Sequence, residues 1–445
     1  MAISPARAAD PLDRDRMMAD VARYDSFGIH RYGSPGAAAA LDWIAAELTA
    51  AGLTVTEQRF TMDRQYVFEH GTLEVEGRQL DILPQWWIPE DRASLELTAP
   101  IAPEGLLRLG LPYDRGAYLN EGHRARLAEA FAQKPAAVLL DIGHPNGQIF
   151  AYNVDQAASS WPVPVLLVAS RDVPHLRSGA MATVSLRGAY RRGVEGRNIV
   201  ARLDRGRGKW LVVSTPVTSW FTSTCERGPG IAGFLAMARL AKEKFTEHDL
   251  VFVATSGHEI GHGGMEHFMR DSAPPPESTA AWAHFGSSLA CRDPVVTAIN
   301  SSVSMTRTVE RCFAQVEGAR FTGEKAAIGE LRDVYAANYR HFFGMAGSHK
   351  YFHTSADSLA AVDPALLVPM AKAFADTLSA VRKSTTLRSD RGPVVRSSSG
   401  CRRRRGRPCH RAPDGSKCWR RSACRACAGS PGRRSGYGPA ARRGS

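Results

Sequence analysis

Apolar and polar positions along the chain switch between a helical and a strand rhythm, and the switches fall at turn residues. Met17, Val21 and Tyr24 recur at helical spacing within Asp13–Tyr24. Leu41, Ile44, Leu48 and Ala51 do so after Ser34-Pro35, a pair suited to the N-cap and first helical positions. Gly52 ends that helix, and Leu53–Phe60 alternates as an edge strand does. Further on, Asn198–Leu203 and Trp210–Ser214 read as strands joined by a glycine turn. A helix with Ile231, Leu235 and Ala238 on one face follows, then the β-branched run Leu250–Ala254 and the short buried run Thr279–Ser287. Pro364–Val381 is a last helix, its apolar face formed by Leu366, Met370, Phe374, Leu378 and Val381. Strand, loop, helix, strand in repetition predicts an α/β fold. The sheet is expected to be mixed and mostly parallel, with helices on both faces.

Between about Tyr66 and Tyr190 the rhythm changes. Helix signals thin to one stretch, Asn120–Gln133, and short apolar runs stand at Leu73–Val75, Ala137–Leu140 and Val163–Ala169 among frequent Pro and Gly. This predicts a small β-rich domain at 66–190, inserted between an N-terminal helical part (1–65) and the main part (191–383). His144, Tyr152 and Asn153 read as turn and loop residues within it. Thr306–Lys350 is polar and mixed, with no legible period.

Composition alters the picture at one end only. The formal charge is +13 over 445 residues, but Ser384–Ser445 alone carries +15, leaving the rest at −2. A nearly neutral body gives no electrostatic sign of a nucleic-acid partner. The basic segment 384–445 is Arg, Gly, Ser, Pro and Cys with few aliphatic residues, too little apolar surface to fold. It is expected to be a disordered tail, of the composition that GC-rich DNA yields when read out of frame. Of the eight cysteines, only Cys225, Cys291 and Cys312 precede it, too few and scattered for a disulfide scaffold. No apolar run reaches the ~18 residues of a membrane span. The start of the chain lacks the apolar core of a secretory signal, so a cytoplasmic location is expected.

The densest chemistry follows the strand Leu250–Ala254, where His258, Glu259 and His262 fall within five residues. His-Glu-Ile-Gly-His fits the pattern in which two histidines one helical turn apart hold zinc and the Glu acts as base. That arrangement needs a helix. Gly257, Gly261, Gly263 and Gly264 crowd the motif, and each costs a helix interior about 1 kcal/mol relative to Ala. A loop at a strand end is expected instead, since α/β sites lie at the carboxyl ends of strands.

Four segments (GRNIVARLDRGRGKWLVVST, ERGPGIAGFLAMARLA, DLVFVATSGHEIGHGG and FHTSADSLAAVDP) resemble, in order and spacing, the di-zinc aminopeptidase family. That family includes bacterial leucyl aminopeptidases, glutamate carboxypeptidases and glutaminyl cyclases. The resemblance covers nearly all of residues 15–383, and residues 66–190 resemble the protease-associated domain often inserted in its members. Carried over by position, Pro216 stands where the family has its first ligand His and Thr218 where the following Asp would be. Glu226 replaces the bridging Asp. His258 takes the place of the general base and Glu259 that of the ligand Glu. His284 lies near the later ligand Asp, and His353 matches the late ligand His.

The resemblance therefore implies a zinc-dependent hydrolase of amide bonds, acting on small peptides or N-acyl amino acids. Glu226, Glu259 and His353 would hold one zinc ion rather than two, with His258 as general base. Thr215, Thr218 or Arg227 would orient the carbonyl oxygen. Two other outcomes stay open: a rearranged site in which His258 joins His262 or His284 as ligand, and a catalytically inactive homologue kept for binding. Glu226 and Arg227 equally suit an ion pair at a helix N-terminus. Asp357 suits a turn cap or a group orienting His353, and His30 and His349 read as surface or turn residues.

Overall fold

The computed structural model describes residues 10–381; the basic tail expected at 384–445 lies outside them. The chain opens with two capped helices. α1 (Arg14–Asp25) starts at Asp13, whose carboxylate accepts the Arg16 N–H, and α2 (Pro35–Ala50) starts at Ser34, whose hydroxyl accepts the Ala37 N–H. β1 (Thr54–Val75) leads into β2 (Arg78–Pro84), β3 (Leu95–Pro100), β4 (Leu106–Gly110), α3 (Glu121–Ala132), β5 (Ala137–Asp141) and β6 (Val165–Val168). β7 (Met181–Leu203) returns alongside β1, paired antiparallel from Thr54 opposite Arg202 to Val75 opposite Ala182. β4, β5 and β6 run parallel, with β2 antiparallel on β6. With α3 and the end of β1 they surround a second core of Leu73, Ile82, Leu106, Leu127, Leu139 and Leu166, which Tyr32, Trp220, Ile260 and Phe352 from the rest of the chain also join.

The main part continues through β8 (Trp210–Pro216), α4 (Thr224–Leu240), β9 (Asp249–Thr255), α5 (Gly263–Asp271) and β10 (Thr279–Phe285). It ends with β11 (Pro294–Ser301), α6 (Thr306–Cys312), β12 (Arg320–Gly323), α7 (Leu331–Ala336), β13 (Phe342–His349) and α8 (Pro364–Ala380). The strand order is β12-β11-β13-β10-β8-β9-β7-β1. The central four, β13, β10, β8 and β9, are mutually parallel, and β7 and β11 flank them antiparallel. This is a mixed α/β sheet with a parallel centre.

Helices cover both faces, and strand periodicity explains how. Leu211, Val213, Leu250, Phe252, Ala254 and Phe285 point to the face packed by α1, α2, α4 and α8. The alternate positions Val212, Val251, Val253 and Trp282 meet Met265 and Phe268 of α5 and Leu331 and Val334 of α7. The segment with no legible period holds β12, α7 and β13, and β13 is an interior strand rather than a connection. Its Gly344 is required by close approach: a Cβ there would sit 2.7 Å from the His284 carbonyl oxygen.

Among the described residues the three cysteines make no disulfide scaffold, but two of them do form one bond. Cys225 and Cys291 are joined as a disulfide, which ties the first turn of α4 to the segment after β10. Two scattered residues in sequence meet because parallel strands bring their following loops to one edge.

Candidate functional site

β8, β9, β10 and β13 end on the same edge of the sheet, and three of them lead into loops that carry candidate residues. After β8 the chain turns through Ser223, held in the left-handed region at φ 48°, and enters α4. Asp357 caps this entry: its two oxygens accept the N–H groups of Cys225 and Glu226 at 2.8 and 3.0 Å. A carboxylate is favoured there because the helix N-terminus carries partial positive charge. Asp357 therefore holds α4, and its further contact is with His349 at 3.4 Å, not with His353.

Glu226 is fully buried. Its Oε2 accepts the Ser219 hydroxyl at 2.7 Å. Its Oε1 lies 2.9 Å from Arg227 Nη2 and 3.5 Å from His353 Nε2. Burial alone would push its carboxyl up, but Arg227, His353 and Ser219 outweigh this and hold it well below the usual carboxylate range.

After β9, Gly257 (φ 76°) opens a single 3-10 turn over His258–Ile260 and Gly261 (φ 94°) closes it, so α5 begins only at Gly263. The two histidines of the motif thus flank a turn rather than share a helix face, as the glycines predict. Their rings still stack, with centroids 4.6 Å apart. Glu259 is fully engaged elsewhere: its Oε1 accepts the Tyr32 N–H at 2.6 Å and its Oε2 the Thr218 hydroxyl at 2.7 Å. Burial pushes its carboxyl up in spite of those two bonds.

Two carboxylates that the sequence did not flag stand behind the histidines. Glu330, fully buried at the start of α7, lies 3.3 Å from His258 Nδ1 and accepts the Thr255 hydroxyl. Asp333 lies 2.8 Å from His262 Nδ1. Burial first, then the nearby Arg227 and His262, drop His258 well below the ordinary imidazole range; burial drops His284 to about 4. Burial thus favours the neutral form of both imidazoles. His284 holds the Ser214 hydroxyl through Nδ1 at 2.9 Å.

His353 has a left-handed backbone (φ 57°) and its Nδ1–H donates to the Ala151 carbonyl at 2.8 Å, which sets Nε2 3.5 Å from Glu226 Oε1. The backbone of Ala151–Val154 also binds the His353 and Glu259 carbonyls, pinning two site loops at once. His144, Tyr152 and Asn153, read as turn and loop residues, lie outside helices and strands and are buried. His30 and His349, read as surface or turn residues, are buried as well, His349 at the end of β13. His30 holds the Thr222 carbonyl and His349 the Ser288 hydroxyl.

The site residues surround a cavity of about 390 Å³. Glu226, Arg227, His258, His262, His284 and His353 reach it, with Arg115, Tyr118 and Asn153 forming a wall from the 66–190 segment. Glu259 and Asp357 do not line it. Of the three residues expected to face a substrate carbonyl, Thr215 donates to the Phe285 carbonyl and Thr218 to Glu259, and Arg227 alone lines the cavity.

Among the described residues, three His, Cys, Asp or Glu donors lie within 4.8 Å of one another only in Cys225, Cys291 and His349, and those cysteines form the disulfide. The expected trio does not assemble. Glu226 and His353 stand together, but Glu259 is held by Tyr32 and Thr218. Arg227 also places a guanidinium 2.9 Å from the Glu226 oxygen that an ion would use. Two cations on one oxygen repel by several kcal/mol in a poorly screened interior. The residues present do not fit a three-donor zinc site.

No family model matches the chain, and no curated protein does. Solved structures do. A zinc aminopeptidase from Bacillus subtilis matches at TM-score 0.65 and 16% identity, over 83% of this chain and 95% of that one. A peptidase precursor from Shewanella amazonensis matches at 0.59 and 13%, over 85% and 98%. An aminopeptidase from an Aneurinibacillus strain matches at 0.57 and 14%, over 83% and 93%. The neighbours are zinc aminopeptidases and related peptidases, and the chain has their fold.

Proposed function

We propose that the chain is a recognition protein on the peptidase fold, which holds small peptides or N-acylated amino acids in the strand-end cavity without a resident metal. Arg227 carries this reading. A buried guanidinium occupies the Glu226 oxygen that a metal would need, and the remaining carboxylate of the expected set, Glu259, is committed to Tyr32 and Thr218. Neutral His258 and His284 then serve as hydrogen-bonding groups for an amide rather than as proton carriers. Residues 66–190, read as a protease-associated-like domain, wall the cavity and select what enters.

A second reading keeps a mono-zinc hydrolase. His353 Nε2 and Glu226 Oε1 are 3.5 Å apart, and the carbonyl bond at Nδ1 gives His353 the tautomer a metal ligand needs. It requires Arg227 to leave Glu226 and Glu259 to leave both its donors. Zinc content after loading, measured by elemental mass spectrometry on the full chain beside His353→Ala, separates the two. The metal-free reading expects equal zinc in both, bound by tail cysteines alone, and no peptide turnover. One extra zinc per chain, lost in the variant together with turnover, overturns it.

A further inference from the structure

Resting on that binding reading, we infer that the cavity is a carboxylate site and that Arg227 is the group that takes the ligand's carboxylate. Arg227 is 1% exposed and lines the cavity. Its Nε–H donates to the Thr218 carbonyl at 3.1 Å, which fixes the plane of the guanidinium. Nη2 is ion-paired with Glu226 at 2.9 Å without an aligned hydrogen bond, and Nη1 has no acceptor in the protein. A buried charged donor without an acceptor costs about 1–3 kcal/mol or more, so a ligand acceptor at Nη1 has much to recover.

Charge points the same way. Arg115, Arg227 and Arg332 line the cavity against a single carboxylate, Glu226, and Glu226 is already bonded to Ser219 and paired with Arg227. With three guanidiniums against one already paired carboxylate, the wall is cationic, which suits an anion and disfavours a free amine. A guanidinium matches a carboxylate with two parallel hydrogen bonds, a fit that a rounder anion or a neutral amide lacks. Val296, Ile328 and Phe352 supply apolar wall beside it. A cavity of about 390 Å³ lies at the small end of ligand pockets. The ligand class is therefore an acyl amino acid or a short peptide presenting its C-terminal carboxylate, with an apolar side chain.

Isothermal titration of the full chain with N-acetyl-L-leucine and with N-acetyl-L-leucinamide tests this, since the pair differs in the charged group alone. The acid is expected to bind, and the amide to bind about tenfold to a hundredfold more weakly. Arg227→Gln should erase the difference. Because that variant strands Glu226, the double variant Glu226→Gln/Arg227→Gln is measured beside it and should erase the difference too. Equal affinity for acid and amide overturns the carboxylate site and leaves the binding reading standing. Binding of neither overturns both. Product formation, followed by chromatography of the same samples, is the separate failure of the metal-free reading, and preference for the acid still decides the carboxylate site.

Discussion

Arg227 and Glu226 are both removed from water, and each is tolerated because of the other. Substituting Arg227→Gln leaves a buried carboxylate whose neighbours are Ser219 and His353 only, and should cost about 3–5 kcal/mol in chemical denaturation. Glu226→Gln should cost less, and the double variant should fall short of the sum of the singles by about 1–3 kcal/mol. Additive singles would mean that the two side chains do not form the pair seen here. The order of motifs singled out Glu226, His258, His284 and His353, and all four line the cavity. Glu259, singled out with them, faces Tyr32 and Thr218 instead, because a matching position says nothing about which way a carboxylate turns. Thr218 decides that: with a hydroxyl where the family has an Asp, it donates to Glu259 and accepts the Gly257 N–H at 2.8 Å. Glu330 and Asp333 carried no signal, since they belong to no motif and meet their histidines across 72 and 71 positions.

At the scale of elements, turn chemistry carries a pH prediction. Asp249 accepts the backbone N–H groups of Arg205, Arg207 and Gly208 across the β7–β8 turn. Burial pulls its carboxyl up, but the three backbone bonds outweigh burial and hold it below its ordinary value. A folded-state value below the unfolded one, about 3.9, stabilises the fold above that pH and stops doing so as pH falls through the folded value. Wild type should therefore exceed Asp249→Asn in stability at pH 7, and the gap should shrink as pH drops below about 4. A gap that widens in acid would contradict the assignment.

The same scale explains which elements were legible. Strands that are unbroken apolar runs, such as Leu250–Ala254, and helices with a full apolar face announce themselves. Of the β1 and β7 ribbon only parts near the ends were legible, because its middle breaks apolar alternation with arginine, glutamate and glycine. Ladder bonds and cross-strand charges such as Arg59 with Glu195 and Arg197 with Glu57 hold it extended. β13 was hidden for another reason: Phe-Phe-Gly-Met-Ala-Gly-Ser-His has no alternation, since both its faces are covered and Gly344 yields to the His284 carbonyl.

At the scale of the whole molecule, a parallel-centred sheet brings together loops that are far apart in sequence, and the 66–190 segment wraps back to touch them. Ala151 fixes His353, Val154 fixes Glu259, and Arg115 and Tyr118 wall the cavity. The fold class was legible because period and order suffice for it. The wall was not, since it depends on how a segment without motifs docks on the sheet. Among the described residues no helix is long and apolar enough to cross a membrane. The central claim is that this cavity holds its ligand through Arg227 and not through a metal. The most direct test is the affinity of the full chain for N-acetyl-L-leucine before and after exhaustive chelation. The account predicts the same Kd in both preparations. Binding that disappears on chelation and returns with zinc would contradict it.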